Sequence, residues 1–166
     1  MNPTRRSGAR GFSIVEALVA LVVLSIGMLG IAALYVESLR AGRSAIYRTQ
    51  AVNLATDLAD RIRANRRGGV DYRLAANAQP PQPGNCAPTR TTDSANCSPA
   101  QLATDDLARW AQAIRQQLPG GTEGLPRGTV LVTPAAAMPG MFEYSIEITW
   151  SEPGDPQLTY VLNMQI

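Results

Sequence analysis

Residues Ala17 to Val36 contain no charged side chain. A chain carrying such a run has few ways to keep it out of water. About twenty residues at 1.5 Å each make a helix that crosses the hydrocarbon core of a bilayer. Arg5, Arg6 and Arg10 precede the run, and this basic flank predicts a cytoplasmic N-terminus with the remainder exported. A secretory signal peptide fits poorly. The apolar run is long, and no small-x-small site closes it before charge resumes at Glu37. A plain single-pass anchor leaves Glu16 unexplained, because a carboxylate at the front of a lipid-facing run costs several kcal/mol unless a partner neutralises it.

The segment GFSIVEALVALVVLSIGMLG resembles the signal of type IV prepilins and pseudopilins. The resemblance implies that residues 1–11 are a leader, which a prepilin peptidase removes between Gly11 and Phe12. It implies N-methylation of the new Phe12 amine. It also implies that Glu16, at the fifth mature position, meets the amine of a neighbouring subunit during assembly. Ammonium and carboxylate attract strongly where neither has water. The cut also changes the charge balance. Without Arg5, Arg6 and Arg10, 12 arginines face 13 carboxylates. No strongly basic field is left for nucleic acid.

The chain has neither lysine nor histidine, which removes Schiff-base lysine chemistry and histidine acid–base or metal chemistry. It carries no G-x-S-x-G motif and no phosphate-binding glycine loop. We expect no enzyme activity, catalytic residue, cofactor, metal or small-molecule substrate. Glu143 and Glu147 are the nearest thing to a carboxylate pair, but their spacing puts both on the solvent face of a strand. Cys86 and Cys97 lie in the exported part, where a disulfide is permitted. Their polar setting, NCAPTRTTDSANC, favours a disulfide over a pair of free buried thiols. Such a bridge would stabilise by roughly 2–3 kcal/mol.

The helical pattern continues beyond Val36. Leu39, Ile46, Leu54, Leu58 and Ile62 fit one stripe, no proline occurs from Phe12 to Val70, and Gly68-Gly69 is a stop. We expect one helix from about Ser13 to about Asn65. Gly27 and Gly30 fit either close helix packing or the ordinary glycine content of membrane helices. From Gly68 to Pro99 we expect a surface loop, with a short extended piece near Tyr72 to Leu74. A second helix follows. Ser98 caps it, Pro99 opens it, Gln101 completes a capping-box spacing, and PGG at Pro119 to Gly121 ends it. Its apolar face is Ala103, Leu107, Trp110, Ile114 and Leu118, with Trp110 in the core. Asp105 and Asp106 fall too far into the helix to gain much from its dipole.

The last third alternates with period two. TVLVT (Thr129 to Thr133), MFEYSIEITW and LTYVLNMQI read as strands. Phe142, Tyr144, Ile146, Ile148 and Trp150 face the core; Glu143, Ser145, Glu147 and Thr149 face solvent. Leu158, Tyr160, Leu162, Met164 and Ile166 form the next apolar row. The expected fold class is α+β and pilin-like: a long N-terminal helix, its first half transmembrane, packed on a small antiparallel β-sheet with a second, shorter helix. The expected division is a cleaved leader (1–11), a transmembrane and assembly half (12–36), and a periplasmic domain (37–166).

The run CSPAQLATDDLARWAQAIRQQLPGG, followed by a VLV strand, resembles the PilV branch of the minor pilins. That resemblance implies a minor pilin of a type IV pilus, anchored in the inner membrane and later incorporated in the surface filament. It would help prime assembly, for motility, adhesion or DNA uptake. Its implied partners are the prepilin peptidase, the major pilin and other minor pilins, the inner-membrane assembly platform and the lipid bilayer. A minor pseudopilin of a type II secretion system is the nearest alternative. A membrane-anchored adhesive or binding module is the alternative of another class.

Overall fold

The computed structural model describes residues 11–86, 97–120, 126–135 and 140–166. The leader up to Arg10, the inner part of the cysteine loop (87–96), residues 121–125 with Gly121 of the expected PGG stop, and residues 136–139 lie outside the described residues. One continuous helix, α1, runs Ile14–Ala64, within a residue of the expected bounds. The chain falls into two units, 1–43 and 44–166, and α1 contributes to both.

In the second unit, α1 buries Ala51, Leu54, Ala55, Leu58, Ala59 and Ile62. These recur at three- and four-residue steps and form one stripe. The small alanines let other elements approach closely. After α1 the chain tightens into a 3₁₀ segment, Arg66–Tyr72, in which Gly69 adopts φ +42°. A side chain at that φ would be strained, so the glycine permits the turn.

The second helix, α2, runs Pro99–Gln117. Both halves of the capping box are formed. Gln101 N–H donates to Ser98 Oγ at 3.3 Å, and Ser98 N–H donates to Gln101 Oε1 at 2.9 Å. The expected face, Ala103, Leu107, Trp110, Ile114 and Leu118, is buried throughout. Trp110 is 1% exposed, and its Nε1–H donates to the Leu54 carbonyl of α1 at 3.0 Å. The indole thereby satisfies its donor while filling the core.

Three strands follow: β1 (Arg127–Pro134), β2 (Phe142–Glu152) and β3 (Asp155–Gln165). They form an antiparallel sheet in the order β1-β2-β3. Val130, Ile146 and Leu162 lie abreast across it. The inward row of β2 packs in the same core cluster as the α1 stripe and the α2 face. The inward row of β3 is half-buried and lines the margin of that cluster. The architecture is therefore the expected α+β layout.

Two local expectations change. Thr149, assigned to solvent, is 1% exposed. It sits on the central strand between Arg127 and Thr159, and its hydroxyl meets Glu147 and Thr159, so neighbours on both sides cover it. Within the loop expected after Gly68, the residues up to Tyr72 form the 3₁₀ segment instead, and the expected extended piece is present at Arg73 and Leu74. Tyr72 and Leu74 are buried, and Leu74 exchanges backbone bonds with Val130 of β1 at 2.9 and 2.8 Å. Cys86 and Cys97 are joined in a disulfide, with Cα atoms 5.7 Å apart.

A buried polar knot ties these elements together. The Asp106 carboxylate of α2 accepts from Arg61 Nη1 of α1 at 3.0 Å and from the Tyr72 hydroxyl at 2.7 Å. Asn65 Nδ2 donates to the Tyr72 oxygen at 3.2 Å and to the Pro99 carbonyl at 2.8 Å. Burial, then the hydrogen bond to Asp106, pushes the Tyr72 phenol well above its ordinary pKa. Ionising it would place two anions side by side without water. Asp105, also buried, accepts from Arg109 Nε at 2.9 Å. The two aspartates thus act as partners of arginines, a role their distance from the helix N-terminus did not suggest.

Candidate assembly surface

The first unit presents a different chemistry. Ser13 lies just before α1 and caps it: its carbonyl accepts from Ala17 N–H at 3.1 Å and its hydroxyl from Val15 N–H at 3.3 Å. Gly11 and Phe12 therefore precede the helix, with both residues exposed and no atom within 4 Å of where a Gly11 Cβ would sit. A protease needs an accessible, non-helical peptide bond, and the Gly11–Phe12 bond meets that requirement. Glu16 is the third residue of the helix and is exposed. The S-x-x-E spacing of Ser13 and Glu16 favours helix initiation at this point, and a carboxylate in the first turn suits the helix dipole.

From Ala17 to Val36 the helix has no polar face. Leu18, Val19, Leu21, Val22, Val23 and Leu24 are each more than half exposed. At 100° per residue they cover the whole circumference. Ser25 does not break the pattern, because its hydroxyl donates to the Val22 carbonyl at 2.8 Å within the helix. This stretch is long and apolar enough to cross a membrane. Gly27 and Gly30 have no neighbour among the described residues of the first unit within 4 Å of a would-be Cβ, apart from the helix's own backbone.

The second unit offers little for catalysis. Among the described residues no cluster of three His, Cys, Asp or Glu side chains could hold a metal. Glu143 stands exposed on the outer sheet face, and Glu147, half-buried, bonds Thr149. A depression of about 490 Å³ on that face is lined by Leu131, Thr133, Glu143, Ser145, Asn163 and Gln165, among others. Its one aromatic, Tyr144, is buried and donates its hydroxyl to the Gly69 carbonyl at 3.3 Å. A second depression, of about 550 Å³, lies between residues 76–80 and Arg115 and Arg127. Neither is the aromatic-lined groove that an adhesive module would favour.

Two family models match the chain. The prokaryotic N-terminal methylation motif covers residues 6–32, and the type IV pilin Tt1218 family covers residues 33–108. The chain is a type IV pilin-like protein. The methylation match contains Gly11, Phe12 and Glu16, and the pilin match continues through α1 into α2. No curated protein and no solved structure matches it. A pilin-like chain is a structural subunit of a filament. That role also accounts for the exposed apolar side chains of the first unit.

Proposed function

We propose that this pilin-like chain is a minor pilin of a type IV pilus, of the PilV kind. Prepilin peptidase removes residues 1–11, and the Phe12 amine is methylated. Residues 12–36 hold the subunit in the inner membrane, and residues 37–166 form the periplasmic domain. The subunit then joins the major pilin and other minor pilins at the inner-membrane assembly platform. There it helps to prime the filament and acts without enzymatic activity of its own.

The observation that carries this reading is one helix surface. Glu16 is the only charge from Ile14 to Val36, and every large apolar side chain of that stretch is exposed. Lipid satisfies the apolar side chains and leaves Glu16 unpaired. A bundle of like helices satisfies both, provided a cation reaches Glu16. The cut at Gly11 creates one at Phe12. Movement from lipid into the filament then carries a direction: helix packing replaces lipid contacts, and the amine–carboxylate attraction strengthens as water leaves.

Deletion of the gene, scored for surface pili and for secreted exoproteins, tests the assignment. Loss or marked reduction of pili with normal exoprotein secretion is expected. Normal pili with blocked secretion would assign the chain to a type II secretion pseudopilin instead.

A further inference from the structure

Two depressions on the second unit run into one another. The first, of about 550 Å³, lies between residues 76–80 and the pair Arg115 and Arg127. The second, of about 600 Å³, lies between residues 79–83 and Gln112, Arg115 and Gln116 of α2. Gln79, Pro80 and Arg115 line both, so the two form one groove along residues 76–83. That wall is braced at both ends. Before it, Leu74 exchanges backbone bonds with Val130. After it, the Gly84 carbonyl accepts from Arg109 Nη2 at 3.2 Å, and Arg109 is itself held by Asp105. Two residues further on, the Cys86–Cys97 disulfide ties the chain to the start of α2. A groove with fixed walls pays little ordering entropy when a ligand enters.

The lining selects the ligand. Among the described residues, no carboxylate lines either depression, and neither Arg115 nor Arg127 has an ion-pair partner. Around the two cations stand five amides: Asn77, Gln79, Gln82, Gln112 and Gln116. Each amide offers both donors and an acceptor, as a ligand rich in hydroxyls requires. No aromatic side chain is among the lining residues, so neither nucleic-acid bases nor neutral sugars find a stacking platform. Pro80, Pro81 and Pro83 lack backbone N–H groups, so the wall cannot pair with an extended peptide as a strand would.

We propose that this groove binds an acidic polysaccharide whose sugars carry carboxylates, as uronic acids do. A guanidinium grips a carboxylate through paired N–H donors, which assigns Arg115 and Arg127 to the anions. The amides between them exchange hydrogen bonds with hydroxyls. Two cations spread among five amides suit a chain with many hydroxyls and few charges. Nucleic acid, with a phosphate at every nucleotide, calls for a denser row of cations. The groove uses no residue of the apolar helix, so this site is independent of the surface that builds a filament.

The test is calorimetric titration of the full chain, held in a neutral detergent, with hexagalacturonate. Maltohexaose, hexaglutamate and hexathymidylate are titrated beside it. Hexagalacturonate should bind, and the other three at least tenfold more weakly or not at all. Arg115→Gln and Arg127→Gln should each weaken hexagalacturonate at least tenfold, since each removes a charge-assisted pair. Gln112→Ala should weaken it about threefold, the loss of a neutral hydrogen bond. Arg48→Gln, exposed on α1 and not among the lining residues, should leave binding unchanged. Absence of hexagalacturonate binding, or equal binding of maltohexaose, overturns the proposal. Equal binding of hexaglutamate or hexathymidylate, or equal losses in Arg48→Gln and the groove variants, overturns it too, in favour of unspecific attraction between anions and surface arginines.

Discussion

Gly128→Ala is expected to lower the stability of the second unit, residues 44–166, by about 3 kcal/mol or more, toward the upper end for overpacking a core. A Cβ on Gly128 would lie 2.3 Å from two ring carbons of Trp110 and 2.7 Å from Ile114 Cδ1. Contacts below 3 Å do not occur between such atoms, so something must move. Trp110 has little freedom to do so: it is 1% exposed and its Nε1–H is committed to the Leu54 carbonyl. Displacing the ring breaks that bond and disturbs the seam between α1, α2 and β1 at one point. Chemical denaturation of the full chain in detergent, followed by tryptophan fluorescence, measures the loss. Gly140→Ala gives a comparison, since Gly140 has open space around it but φ +90°. Its penalty is backbone strain alone and should be smaller, about 1 kcal/mol. Equal losses at the two positions would show that the contact with Trp110 does not matter.

Glu16→Ala is expected to leave leader removal intact and to cut recovery of the subunit in sheared filaments at least tenfold. Cleavage depends on the Gly11–Phe12 bond, which lies outside the helix and four residues or more from the Glu16 side chain along the chain. Alanine is the best helix former, so α1 should persist. What disappears is the carboxylate that an incoming or neighbouring amine would meet. A tenfold loss corresponds to about 1.4 kcal/mol, well within the range for an ion pair shielded from water. Glu16→Gln separates charge from hydrogen bonding, because the amide still accepts a hydrogen bond from an amine but carries no charge. It should fall between the native residue and alanine. Recovery of Glu16→Ala at native levels would remove the amine–carboxylate pairing from the account.

Local pattern made much of this molecule legible before its structure. The apolar run, the Ser98–Gln101 capping box and the alternation of β2 are all set by neighbours within four residues, and each appears where expected. The polar knot was not legible, because Asp106 finds Arg61 45 residues away and Tyr72 34 residues away. No periodicity announces such a meeting. An extended piece near Tyr72 to Leu74 was legible, but its partner Val130, far along the chain, was not. Gly128 falls outside the strand expected from Thr129 to Thr133, and only the Trp110 ring lying against it explains why no side chain fits there. At the candidate assembly surface, sequence singled out Gly11, Phe12 and Glu16. Sequence reading put the helix start near Ser13 but missed its capping role, although S-x-x-E before an apolar run is a recognisable start signal. Its role as the cap explains why the helix begins after Phe12 and leaves the Gly11–Phe12 bond free of helical structure.

The central claim is that a cut between Gly11 and Phe12 creates the amine that Glu16 requires. Intact-mass analysis of the chain recovered from its own membranes, beside a Gly11→Leu variant, tests it most directly. The account predicts a native chain of residues 12–166 carrying one additional methyl group, and a variant that retains the eleven-residue leader. A native chain that keeps residues 1–11, or a Gly11→Leu variant that still begins at Phe12, would contradict it.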